Sequence, residues 1–171
     1  TANVYLKRNE DDKALLELKA GYEKFPDAAM LISQLSQLYM KKKNVPAAIA
    51  LCEKRLENNP EEAFSWNLLG GIYFVTKAYD KAETHFEKAI EISPEWQKPY
   101  ENLAQLYLFQ GKKESAVAKL ESAIKQNEKN KEAWMLLGMI HKRDKDYQAA
   151  ATVFKQAFDA IPSLWSAAND Y

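Results

Sequence analysis

The sequence predicts an all-α fold of stacked helix pairs, and three observations carry that prediction. Apolar residues recur three and four apart almost throughout, as in "AAIALCEKRL" at 47–56 and "AVAKLESAI" at 116–124, the period of an amphipathic helix. With 5 Gly and 6 Pro in 171 residues, the chain holds too few turn formers for a series of hairpins, and no strand-like alternation competes. The landmarks of "WNLLGGIYFVTKAYDKAETHFEKAIEISP" at 66–94 also return at a fixed spacing of 34 residues, with no insertion.

The units follow in order. A partial one covers 1–28, with Tyr5, Ala14, Leu18, Gly21 and Pro26 in the columns that the later units fill with an aromatic, Ala, a large apolar residue, a small residue and Pro. The unit at 29–62 carries Ile32, Leu35, Ser36, Tyr39, Ala48, Cys52 and Pro60, but has Arg55 where the others are small. Arg55 is therefore expected to be strained or pushed outward, loosening the helix at 44–57, whose start tolerates Pro46 because the N–H there is unbonded anyway. In the unit at 63–96, helices are predicted at about 63–76 and 79–92. Trp66, Leu69 and Tyr73 stripe the first, Phe86 and Ile90 answer from the second, and Gly70, Ala82 and Ala89 let the backbones approach. Pro94 cannot continue the helix and ends the unit.

The unit at 97–130 repeats this with Tyr100, Leu103, Ala104, Tyr107, Ala116, Leu120 and Ala123, but Glu128 replaces Pro, so a less sharply set turn is expected near 127–130. The unit at 131–164 has Trp134, Leu137, Gly138, Ala150, Phe154, Ala157 and Pro162, with His141 in the Tyr column. The closing "SLWSAANDY" starts a further first helix at 165–171. Because Thr1 falls midway through a first helix and neither end carries a polar cap, the sequence reads as part of a longer array.

Trp66-x2-Leu69-Gly70-x2-Tyr73, then Ala82-x3-Phe86, then Pro94 resembles the tetratricopeptide repeat, whose period is 34 residues. The resemblance covers essentially the whole chain. It implies a right-handed superhelical α-solenoid, a single array over 1–171, in which each helix pair buries its faces against its neighbours.

Composition bounds the function. Hydrophobic residues make up 47% of the chain, enough for a core and too many for disorder. The 24 Lys and Arg balance 24 Asp and Glu, which argues against a nucleic-acid binder, since phosphate contacts need a basic face. No apolar run approaches the ~20 residues that span a bilayer, so no membrane insertion by this segment is expected. One Cys rules out an internal disulfide. The sequence leaves the compartment open between cytoplasm and periplasm.

No catalytic, cofactor or metal site emerges. His85 and His141 are the only histidines and lie in different units, with no ligand spacing around them. His141 reads as packed or groove-edge, His85 as surface, and Cys52 as a small buried hydrophobe. The lysines at 41–43 read as a solvated helix end, and Asp11 and Asp12 as acids at a helix start. The chain is not expected to be an enzyme.

The expected site is the concave face, which in tetratricopeptide arrays is lined by the first helix of each pair. The inward positions are Phe64, Asn67, Gly71, Phe74 and Val75, then Lys98, Glu101, Gln105, Leu108 and Phe109, then Glu132, Met135, Met139, Lys142 and Arg143. The earlier units add Met30, Ser33, Gln37, Met40 and Lys41. Phe74, Val75, Leu108, Phe109, Met135 and Met139 would form an apolar patch of the kind that marks interaction sites. Phe74 and Phe109 serve either that patch or packing between units. The resemblance implies that Asn67 holds a peptide backbone, while Lys41, Lys98, Lys142 and Arg143 favour an acidic ligand. The chaperone-tail receptors of this family clamp a terminal carboxylate with a Lys, Asn and Arg set. Ser33, Gln37, Leu68, Lys98 and Asn102 stand at those positions with one cation among them, so that function is not expected.

The expected function is a non-catalytic scaffold that binds a protein or peptide ligand in its groove. The alternative is a self-associating or spacer segment of a larger assembly. "WSAANDY" after a Pro resembles the ends of bacterial arrays for exopolysaccharide export.

Overall fold

The computed structural model describes residues 2–162; the further helix expected at 165–171 lies outside the described residues. These form ten helices and no strand: α1 Ala2–Lys7, α2 Asp11–Lys24, α3 Ala29–Lys41, α4 Val45–Asn58, α5 Ala63–Val75, α6 Tyr79–Ile92, α7 Gln97–Phe109, α8 Lys113–Gln126, α9 Lys131–Arg143 and α10 Tyr147–Ala160. Each helix packs on the next, and α3, α5, α7 and α9 also touch one another in series. The odd helices therefore make one continuous layer and the even helices the other. From α2 onward, each even helix buries only two or three residues in one stripe, such as Ala82, Phe86 and Ala89 in α6. The odd helix α7 buries seven, because it is contacted by even helices on two sides and by odd neighbours. The fold is an α-solenoid.

Glycine at the helix crossing explains the close approach. A Cβ at Gly70 would stand 2.6 Å from the Cδ1 and Cε1 of Phe86, and one at Gly138 would run into Phe154 Cε1. Phe86 is only 1% exposed, and burying such a ring contributes about 2–3 kcal/mol. The small residue of α5 is the space that the aromatic ring of α6 fills.

The turn inside each pair is the same five times. Asn9, Lys43, Lys77, Gly111 and Lys145 all adopt the left-handed conformation, with φ between 57° and 75°. The following N–H bonds back across the turn, as from Asn44 to the Tyr39 carbonyl at 2.8 Å and from Ala78 to that of Tyr73 at 2.9 Å. This is the Schellman closure of a helix end, a place that glycine suits best, although only Gly111 is a glycine.

Between pairs, the aromatic residue that opens each odd helix pins the preceding turn. Trp66 Nε1 donates to the Pro60 carbonyl at 2.7 Å, Tyr100 Oη to that of Pro94 at 3.1 Å, and Trp134 Nε1 to that of Glu128 at 2.8 Å. Ile32 has no donor for this task. Arg55 supplies it instead, donating from Nη1 to the Pro26 carbonyl at 2.8 Å. Its other donors bind Asp27 and, through Nε and Nη2, both oxygens of Glu62. Arg55 is thus 9% exposed and joins two turns, α2–α3 and α4–α5, which corrects the expectation that it is strained or pushed outward.

Three further expectations change. The turn at 127–130 is as tight as the others, because Asn127 accepts from the Lys129 N–H and Asn130 caps the Ala133 N–H at 3.0 Å. Lys41 and Lys42 are not simply solvated, since they reach back to Asp11 at 2.8 Å and Asp12 at 2.7 Å. His85 is half-buried, with its ring 5.3 Å from that of Trp66 and 4.9 Å from that of Tyr73.

Candidate functional site

The odd-helix layer carries two cavities. The first, of about 340 Å³, lies across α3, α5 and α7. Its wall is apolar, with Met40, Leu68, Ile72 and Val75, and its polar side is Gln37, Asn67 and Asn102. Asn102 Nδ2 donates to Asn67 Oδ1 at 2.8 Å, which leaves the Nδ2 donors of Asn67 and the Oδ1 acceptor of Asn102 open to a ligand. Gly71 lies in the cavity, where a Cβ would meet nothing within 4 Å. Unlike Gly70, it is not required by packing; it keeps the floor of this cavity low.

The second cavity, of about 550 Å³, lies between α7 and α9 and is lined by Leu108, Leu136, Met139, Ile140, Lys142 and Arg143. Met139 is 57% exposed. Lys142 and Arg143 have no ion pair among the described residues. Where α5 and α7 end and α6 begins stands an aromatic group: Phe74 and Phe109 meet edge-on at 5.7 Å, and Tyr79 lies 6.3 Å from Phe74 and 5.6 Å from Phe109.

The residues anticipated from sequence therefore divide. Asn67 and Val75 come together in the first cavity, and Leu108, Met139, Lys142 and Arg143 in the second. Phe64 stacks on Trp96, just before α7, at 6.4 Å, and Phe74 is half-buried against the core and meets Phe109 of α7; both rings turn toward α7. Phe109 shares the aromatic contact yet remains 63% exposed. Gln105 and Met135 are exposed on this face. Lys98 is bonded to Glu101 at 3.2 Å. Glu101 itself is buried, and burial pushes its carboxyl above the ordinary range, only partly offset by Lys98. Lys41 is likewise engaged by Asp11.

Leu68, Ile72, Leu136 and Ile140 were missed as wall residues. They occupy the same two positions in units two periods apart, where they look like core by spacing alone. Asn102 was considered only as part of a carboxylate clamp; its place one residue beyond a full period from Asn67 marks the two amides as neighbours across helices.

The sequence pattern of the family described as the cytochrome c-type biogenesis protein H TPR domain matches residues 22–164. The chain belongs to this family. Solved structures agree on the fold. The crystal structure of MamA superposes with a TM-score of 0.69 at 18% identity, covering 97% of each chain. PilF of Pseudomonas aeruginosa gives 0.69 at 20% identity over 93% of this chain and 72% of that one. TTC0263, a thermophilic TPR protein of Thermus thermophilus, gives 0.66 at 14% identity over 94% and 88%. No curated protein matches the chain in sequence.

The family membership makes this chain a tetratricopeptide interaction scaffold, a class that is generally non-catalytic. Among the described residues no cluster of His, Cys, Asp and Glu could hold a metal ion, and no helix is long and apolar enough to cross a membrane. The lone thiol, Cys52, is fully buried, and burial, with Glu53 and Glu62 nearby, pushes it up to about 12.

Proposed function

We propose that the array serves cytochrome c-type biogenesis by holding a peptide or helix of a partner protein in the groove formed by the odd helices. The observation that carries this reading is the pair of cavities on one layer. Each combines an apolar wall with polar groups left open to a ligand, and Val75, Phe109 and Met139 stay well exposed beside them. Isolated apolar residues are ordinary on surfaces, but a continuous series along one face marks an interaction site. The family description, cytochrome c-type biogenesis protein H TPR domain, supports this setting over exopolysaccharide export. The proposed groove residues are Gln37, Asn67, Gly71, Val75, Leu108, Met139, Lys142 and Arg143, with Leu68 and Asn102 added. Phe64 and Phe74 set the spacing of the units that form the groove.

A photocrosslinking residue placed at Val75, at Met139 or at Leu16 of the even-helix layer, each in the full-length protein in its own cells, tests the reading. Adducts to a protein of cytochrome c-type biogenesis at Val75 and Met139, and none at Leu16, are expected. Adducts of equal strength at Leu16, or only between copies of the chain, would reject the groove.

A further inference from the structure

The groove reading leaves the charge of the occupant open, and the inference here rests on that reading. Two cations of the odd-helix layer are already matched within the chain. Lys41 is held by Asp11 at 2.8 Å and Lys98 by Glu101 at 3.2 Å. Lys142 and Arg143 are not, although both line the cavity between α7 and α9. The acids that follow them in sequence are turned elsewhere. Asp144 bonds Lys113 of α8 at 2.9 Å, and the Asp146 side chain accepts from the Ala149 N–H at 3.0 Å.

The helix dipole favours a cation in a last turn, but it does not demand one in this array. Neither α5 nor α7 has a basic residue there, while α9 has three, His141, Lys142 and Arg143. Two of these three face the cavity, beside the exposed sulfur-bearing chain of Met139 and the aliphatic walls of Leu108 and Leu136. An apolar hollow edged by two unmatched cations is complementary to an apolar side chain flanked by carboxylates.

We propose that this cavity takes an acidic amphipathic helix of a partner protein. Its apolar side chain enters between Leu108 and Met139, and Asp or Glu side chains about one helical turn further on face Lys142 and Arg143. The apolar part supplies most of the affinity. The carboxylates set which segment is accepted, because a basic residue at the same place would meet two like charges.

Three synthetic helical peptides test this by fluorescence anisotropy against the full-length protein. They share a pair of Leu residues four apart and an amidated C-terminus, and differ one turn later in carrying Glu-Glu, Gln-Gln or Lys-Lys. The Glu peptide is expected to bind about tenfold tighter than the Gln peptide at low salt, with the gap closing as salt screens the pairs. Changing Lys142→Glu and Arg143→Glu together should reverse the order in favour of the Lys peptide. Both residues are exposed, so circular dichroism should show the helices kept. Equal binding of the Glu and Gln peptides, or a Glu preference that survives the double change, overturns the proposal. So does tighter binding by a Gln peptide with a free C-terminal carboxylate, which would assign the cations to a chain end. Met139→Ser separates the two readings. If it weakens the Gln peptide while charge has no effect, the groove stands and only the charge inference falls. If it changes nothing, or no peptide binds, the groove reading falls as well.

Discussion

Two adjacent glycines in α5 should respond to the same substitution in opposite directions. A methyl group at Gly70 would lie 2.6 Å from two ring carbons of Phe86 and 3.1 Å from Cγ. The contact reaches the base of a ring that is 1% exposed and packed among Ala82, Leu103 and Ala104, so the ring cannot swing clear. Overpacking of this kind costs about 1–3 kcal/mol, set against about 1 kcal/mol gained by Ala over Gly in a helix interior. At Gly71 the added methyl meets nothing within 4 Å, so the helical gain of about 1 kcal/mol stands alone. Thermal unfolding followed by far-UV circular dichroism measures both. For a chain of this size 1 kcal/mol moves the midpoint by about 2–4 °C, so Gly71→Ala should raise Tm by about that much. Gly70→Ala should lower it, by up to about 2 kcal/mol or 4–8 °C. If both variants shift the midpoint in the same direction, the assignment of Gly70 to packing and Gly71 to the groove floor is wrong.

Arg55→Met should cost about 3 kcal/mol, the range for removing one partner of a buried ion pair, because it strips donors from Glu62, Asp27 and the Pro26 carbonyl; a lowered urea midpoint checks this. Burial raises the Glu62 carboxyl, but bonds from Arg55 and Ser65 outweigh it and hold the group below the ordinary carboxylate value. Its stabilisation is therefore complete above the unfolded carboxylate value and lost as pH falls through the lower folded one. Arg55→Met should flatten that part of the stability–pH curve. Lys77→Gly relieves a left-handed residue at φ 64° and should raise stability by about 1 kcal/mol in thermal unfolding, whereas Lys81→Gly within α6 should lower it. Cys52, raised to about 12 by burial first and nearby acids second, should react with a thiol reagent only in denaturant; labelling of the folded chain at neutral pH would contradict its placement.

Much of the fold was legible because the repeat overdetermines it. The period marked Gly70 as a small residue at a close helix approach and bounded α5 and α6 to within a residue, since the same columns recur with the same sizes. What the period could not show is compensation between columns. Arg55 looked like a defect when read down its own column; it makes sense only beside Ile32, which lacks the donor that Trp66, Tyr100 and Trp134 provide. The left-handed turn residue was equally hidden, because Lys43, Lys77 and Lys145 take a conformation that glycine would have announced. In the groove, spacing assigned faces but not depth. Phe64 and Phe74 share the inner layer with Val75 and Met139, yet their rings turn sideways onto neighbouring units. Leu68 and Ile72 do the reverse, serving packing and cavity wall together. Charges were harder still, since whether Lys41 or Lys142 is matched depends on acids one unit away.

Filling the first cavity tests the central claim most directly. Gly71→Phe places a ring where the backbone leaves open space beside Asn67 and Val75, and should leave the thermal midpoint near that of the unaltered protein. With the crosslinker at Val75 in the full-length protein in its own cells, the partner adduct should then disappear. An adduct that persists at full strength with the cavity filled would show that the partner does not occupy the groove.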